Sequence, residues 1–85
     1  MSEMEIGVIM NYFDKIGVAA IQMTEGDLSV GDTIHIKGNK TDVNVVVDSM
    51  QVEHKSVPKA VKGDGVGIKI GASAHVKDKV FKVLP

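Results

Sequence analysis

The stretch KGDGVGIKI, Lys62 to Ile70, opens on a glycine-aspartate turn and runs into a strand in which Val66, Ile68 and Ile70 alternate with Gly67 and Lys69. Period-2 alternation marks a half-buried β-strand. The arrangement recurs in VGDTIHI, Val30 to Ile36, and in VKDKVFKV, Val76 to Val83, each time with an aspartate turn ahead of alternating apolar residues. Glycine supplies a positive φ and aspartate can bond its own backbone, so each unit opens a strand cleanly. The spacing of the three units is irregular, which excludes a solenoid.

Working outward, Ile6, Val8 and Met10 alternate with Gly7, Ile9 and Asn11; after the DKIG turn at Asp14 to Gly17, Ala19, Ile21 and Met23 alternate with their neighbours. This pair predicts a hairpin. TEGDLSVGD, Thr24 to Asp32, is dense in turn residues, and Ile34 and Ile36 then face one side with His35 and Lys37 on the other. GNKTD, Gly38 to Asp42, turns the chain again. From Val43 to His54, Val43, Val45 and Val47 share one phase while Met50 and Val52 fall in the other. One regular strand cannot bury both sets, so a bulge or sharp bend is expected near Asp48 and Ser49. Pro58 interrupts SVPKAVKG, where Val57, Ala60 and Val61 predict a short helical turn at most. Val66 to Ile70 and Val80 to Leu84 complete six strands. The fold class expected is all-β: a small, approximately six-stranded closed antiparallel barrel.

Composition agrees. The 85 residues hold one core, so residues 1–85 are read as a single domain; a chain this size buries somewhat more than ~60% of its unfolded surface. With two Phe, one Tyr and no Trp, that core is filled by Val, Ile, Met and Ala, many of them β-branched. The absence of cysteine removes disulfides and thiolate metal sites. The start MSEMEIGVIM lacks a basic lead-in, and no run of 18 apolar residues occurs, so a cytoplasmic location and no membrane partner are expected. Charge is uneven: residues 1–32 hold six acids against Lys15, whereas residues 33–85 hold nine lysines against five acids. All basic residues are Lys and none is Arg, so any nucleic-acid contact would be directed at the backbone, weak and sensitive to salt.

Motifs for chemistry fail on inspection. NKTD at Asn39 to Asp42 matches the N-K-x-D guanine signature, but no phosphate loop accompanies it, and a polar turn of this composition is ordinary hairpin chemistry. GDGVGIKIG, Gly63 to Gly71, lacks dinucleotide-loop spacing and leads into a strand. His35, His54 and His75 show no zinc spacing and read as surface residues; Ser29, Ser49, Ser56 and Ser73 have no nucleophile elbow. The expectation is no enzyme, no cofactor and no metal.

The blocks VAAIQMTEGDLSVGDTIHIKG (Val18 to Gly38), SMQVEHKSVPKAVKGDGVGIKI (Ser49 to Ile70) and VKDKVFKV together resemble the second-domain β-barrel of elongation factor Tu and its archaeal and eukaryotic counterparts. The pattern is similar also to stand-alone translation elongation factor-like proteins and to the C-terminal barrel of collagenase-like peptidases. The resemblance implies a role in protein biosynthesis or RNA modification. It further implies that Gln51, His54, Gly65, Val66 and Gly67 match positions lining an aminoacyl site, with Gln51 where an acid is usual and Gly65 where Asn is usual. Two binding roles remain open. In one, Lys37, Lys40, Lys55, Lys59, Lys62 and Lys69 hold tRNA, ribosomal RNA or the ribosome weakly, with no DNA expected; in the other, the chain docks on a separately encoded GTPase, translation protein or RNA-modifying enzyme. A contiguous lysine surface would favour the first and an exposed apolar patch with a polar rim the second.

Overall fold

The computed structural model describes residues 2–84, and among them it contains ten short β-strands and no helix. They are β1 (Ser2–Phe13), β2 (Val18–Met23), β3 (Asp27–Ser29), β4 (Thr33–Lys37), β5 (Asp42–Val46), β6 (Met50–Val52), β7 (Lys55–Ser56), β8 (Lys59–Val61), β9 (Gly65–Lys69) and β10 (Lys79–Leu84). Eight form one antiparallel sheet in the order β5-β4-β10-β1-β2-β9-β6-β7, and β3 pairs with β8 beside it. The expected six strands thus become ten, because β3, β6, β7 and β8 are only two or three residues long, too short for alternation to mark them. The ladder ends at β5 and β7, and residues 47–49 carry the chain from β5 to β6, the strand next to β7; the fold is all-β and antiparallel, without a ladder between the two margins of its sheet among the described residues.

That connection is the predicted phase change. Val43 and Val45 pack half-buried against the core, Val47 is fully buried, the ladder stops, and Met50 is buried again at the start of β6. The Val47 amide donates to the Asp32 carbonyl (2.8 Å) and its carbonyl accepts from the Gly31 amide (2.8 Å). Both apolar phases are therefore satisfied by a change of partner, with β5 on β4 and β6 on β9.

The three aspartate turns share one design. The carboxylates of Asp32, Asp64 and Asp78 accept the amides of Ser29, Val61 and His75 at 2.8, 3.0 and 2.9 Å. Their own amides donate back to the carbonyls of the same three residues at 3.0, 3.0 and 3.1 Å. The residue before each aspartate, Gly31, Gly63 or Lys77, has φ of 98°, 96° or 76°, the sign a type II turn requires at its third residue.

Ala19, Ile21 and Met23 of β2, Ile34 and Ile36 of β4, and Val66, Ile68 and Ile70 in and after β9 all enter the core in the phase their alternation predicts. β1 departs from it. Ile6 is an extra residue against β10 and Met10 an extra residue against β2, so two bulges place Ile6 and Ile9 inside and push Met10 to the surface. The helical turn expected in SVPKAVKG is also corrected: Lys59–Val61 is strand β8, with only Ala60 turned inward opposite Leu28. Three residues with one apolar contact are too short for their period to be read.

Candidate functional site

The β1-β2 hairpin carries the apolar surface. Met10, Phe13 and Ile16 are 57%, 46% and 62% exposed, and with Val18, Ala20 and Ile21 they line a groove of about 660 Å³. Across from them stand Gln51, Glu53 and His54 of the β6-β7 hairpin and Gly65, Val66 and Gly67 of β9. Met10 reaches this surface because it is the bulged residue of β1. Phe13 and Ile16 reach it because the Asp14–Gly17 turn folds back, the Gly17 amide donating to the Phe13 carbonyl at 2.8 Å.

The opposite wall is held in an unusual backbone. Gln51 pairs with Ser56 and Val52 with Lys55, leaving Glu53 and His54 as a two-residue loop with φ of 52° and 65°. Two positive φ values suit a type I′ hairpin, but Asn and Gly normally supply them, and a left-handed conformation costs other residues roughly 1–2 kcal/mol each. No atom lies within 4 Å of a Cβ added at Gly65, and one at Gly67 would meet only Val18 Cγ1 at 3.6 Å. The bare β9 backbone therefore widens the groove, and Gln22 closes its rim through a bond from Nε2 to the Asp64 carbonyl (3.4 Å).

The structure thus brings Gln51, His54, Gly65, Val66 and Gly67 to one surface. The larger part of that surface, Met10, Phe13, Ile16, Val18, Ala20 and Gln22, was missed from sequence. One signal was available: Phe13 and Ile16 are large apolar residues flanking and occupying a tight turn, where the core cannot reach them.

The six candidate lysines do not form one surface. Lys59 pairs with Asp27 (3.2 Å) and Lys62 with Glu25 (3.8 Å) across the β3-β8 corner. Lys37 and Lys40 stand together at the far side of β4, while Lys55 lies on β7 and Lys69 at the end of β9. Asp27 also receives Lys82 Nζ at 2.9 Å, and the ammonium groups of Lys82 and Lys59 hold its carboxyl below the usual range.

The reading of His35 as a surface residue needs correction, whereas His54 and His75 are exposed. His35 lies between two carboxylates, Nδ1 meeting Glu3 at 2.9 Å and Nε2 meeting Asp42, and its side chain is 16% exposed. These bonds, Asp42 first and Glu3 second, raise its pKa above the ordinary 6.5. Because the two nitrogens face different acids across β1, β4 and β5, the three groups share no common centre. Among the described residues no set of three His, Cys, Asp or Glu side chains is placed to hold a metal ion, and no helix is long and apolar enough to cross a membrane. His75 Nδ1 bonds Thr41 Oγ1 at 2.9 Å, whereas His54 lies at the groove.

No family model matches the chain. An uncharacterized protease of Methanocaldococcus jannaschii is 42% identical over 80 residues, covering 93% of this chain and 19% of that protein. A collagenase of Porphyromonas gingivalis is 32% identical over 78 residues, covering 91% of this chain and 22% of that protein. The chain therefore spans about a fifth of the length of the curated relatives it matches. Among solved structures, the C-terminal domain of a Geobacillus thermoleovorans protein described as a U32 peptidase superposes with a TM-score of 0.87 at 17% identity, covering 95% of this chain and 93% of that one. The bacterial selenocysteine-specific elongation factor EF-Sec gives 0.70 at 23% identity, covering 92% of this chain and 14% of that one. These likenesses support a translation-factor-like barrel fold without singling out elongation factor Tu. The expectation of no enzyme is overturned by the relatives' names, which are protease and collagenase. It rested on a search for a catalytic set within 85 residues, and such a search does not reach the remaining four-fifths of proteins of that kind. On these comparisons the chain is similar in sequence to part of proteins named as protease and collagenase, and in fold to the C-terminal domain of a U32 peptidase.

Proposed function

We propose that this chain is a protein-docking module whose groove receives apolar side chains from a protein of the peptidase kind to which its relatives belong. The observation that carries this reading is the concentration of exposed Met10, Phe13 and Ile16 in one groove, rimmed by Gln22, Gln51, Glu53 and His54. Large apolar groups left in water and bordered by polar ones mark protein contact surfaces. The strained Glu53-His54 loop supports it, since backbone strain persists where the surroundings impose it and gathers at binding sites. The relatives add a partner: the matched region occupies about a fifth of each, so it has a larger protein to pack against.

Isothermal titration calorimetry of the 85-residue protein against a full-length peptidase of this kind from the same organism tests the proposal. A Kd of about 1 μM, equivalent to about −8 kcal/mol, is expected, with a negative heat-capacity change from apolar burial and little dependence on salt. Phe13→Glu and Ile16→Glu should each weaken the complex at least tenfold without unfolding the protein, because both side chains already face water. An absence of binding, or a complex that both variants leave intact, would overturn the assignment.

A further inference from the structure

A second concave surface lies between the turn that joins β4 to β5 and the turn that precedes β10. It has a volume of about 520 Å³, and its lining includes Lys37, Asn39, Lys40, His75, Lys77 and Lys79. Only Lys37 and Lys40 were singled out from sequence. Its two walls are locked together from beneath. Buried Thr41 bonds His75 through its hydroxyl (2.9 Å), and the Gly38 amide donates to the Thr41 carbonyl (2.7 Å). Asp78, 5% exposed, fills the seam behind Gly38, and its carboxylate is turned inward to the His75 amide. The acid that contributes to this cleft is thus hidden, while its lysines are exposed. Among the described residues Lys37, Lys40 and Lys77 form no ion pair; Lys79 meets Glu5 at 3.5 Å. Lys77 is held at φ 76° in the turn whose two counterparts use glycine. A side chain kept there against the backbone preference points to a use for its ammonium group.

We infer that this lysine cleft binds the phosphodiester backbone of a single-stranded nucleic acid. The inference is independent of the apolar groove. Three ammonium groups without an ion pair exceed what one phosphorylated side chain, at about −1.5 to −2, would neutralise, whereas successive phosphodiesters at one charge each match them. A strand is favoured over a compact anion because a second hollow, of about 690 Å³, adjoins the first. It shares Lys37, Gly38, Asn39 and Lys40 with it and adds Asp42, whose carboxylate is engaged by His35, so the lysines of one turn face both hollows. No Arg, Phe, Tyr or Trp lines either hollow, and His75 is the one ring beside the first, so no bidentate base contact and no run of stacking rings is present. Binding is consequently indifferent to base sequence.

Fluorescence anisotropy with a labelled oligouridylate of about 15 nucleotides tests this. Three phosphates contacted give a log-log salt slope of about −2, that is, roughly a fifteenfold loss between about 50 and 200 mM salt. Lys37→Ala, Lys40→Ala and Lys77→Gly combined should abolish binding. Lys77→Gly places glycine where the backbone favours it, and a thermal melt reports directly whether the triple variant is folded. Lys55→Ala with Lys69→Ala, outside the cleft, should leave affinity unchanged. Oligodeoxythymidylate should bind equally, because the shared phosphodiester carries the contact. The inference is overturned if the triple variant binds as wild type, if the outer pair reduces affinity as much, or if inorganic tripolyphosphate or a phosphopeptide binds where the oligonucleotides do not.

Discussion

Replacing Lys77 by glycine should stabilise this protein, although it deletes a side chain and introduces the most flexible residue. The argument rests on three turns with the same hydrogen bonds, Ser29–Asp32, Val61–Asp64 and His75–Asp78, of which only the last has a residue other than glycine at its positive-φ position. A left-handed conformation costs a residue with a Cβ about 1–2 kcal/mol, and glycine gives back about 0.5–1 kcal/mol through its freer unfolded chain. The net gain is about 0.5–1 kcal/mol, or roughly 2–8 °C in Tm for a domain of this size. Lys77→Ala removes the charge but keeps the strain, so it should gain little; the difference between the two variants isolates the backbone contribution. Gly31→Ala and Gly63→Ala test the reverse. No atom lies within 4 Å of either added Cβ, so their expected loss of about 0.5–1 kcal/mol is purely conformational. Differential scanning calorimetry and urea unfolding at neutral pH measure all four. A lower Tm for Lys77→Gly, or a higher one for Gly63→Ala, would refute the equivalence of the turns.

Gly38→Ala should behave differently, because its Cβ would overlap Asp78 Oδ1, and the carboxylate cannot turn away without disturbing the bond of its other oxygen, Oδ2, to the His75 amide; a loss of about 1–3 kcal/mol in urea unfolding is expected. The raised pKa of His35 means that its charged form is bound more tightly in the folded state, so its stabilisation is complete below about pH 6.5 and is lost as pH climbs through the raised value. The lowered pKa of Asp42, caused by the bond to His35, carries the same interaction down past about pH 3.8 before protonation ends it. Comparing urea midpoints of wild type and His35→Gln should therefore show the largest gap at about pH 4–6.5 and a shrinking one in alkali. Glu53→Asn with His54→Gly should stabilise the β6-β7 hairpin by about 1–2 kcal/mol while weakening docking in the calorimetric assay, since it relieves strain and removes two groove side chains.

Much of the sheet was legible in the chain. Ala19, Ile21 and Met23, Ile34 and Ile36, and Val66, Ile68 and Ile70 enter the core in the phase of their alternation, because a period of two is a local property of extended backbone. The aspartate turns were visible for the same reason, each being closed by bonds within four residues. The phase conflict between Val47 and Met50 likewise required a break that any fold of this sequence must make. What tertiary structure alone decided are the features that depend on which strands meet. The bulges at Ile6 and Met10 arise because β1 is paired on both sides, with β10 and with β2, and the three-residue β8 exists only through its pairing with β3. The groove joins residues 10–22, 51–54 and 65–67, and the lysine cleft joins 37–40 to 75–79; local periodicity says nothing about such distances. Partner choice among charges is the last example, since Lys59 and Lys62 are drawn to Asp27 and Glu25 only once β3 and β8 lie side by side, while Lys37 and Lys40 are left facing water. Alternation and turn chemistry act between neighbours in sequence, whereas bulges, grooves and ion pairs are set by neighbours in space.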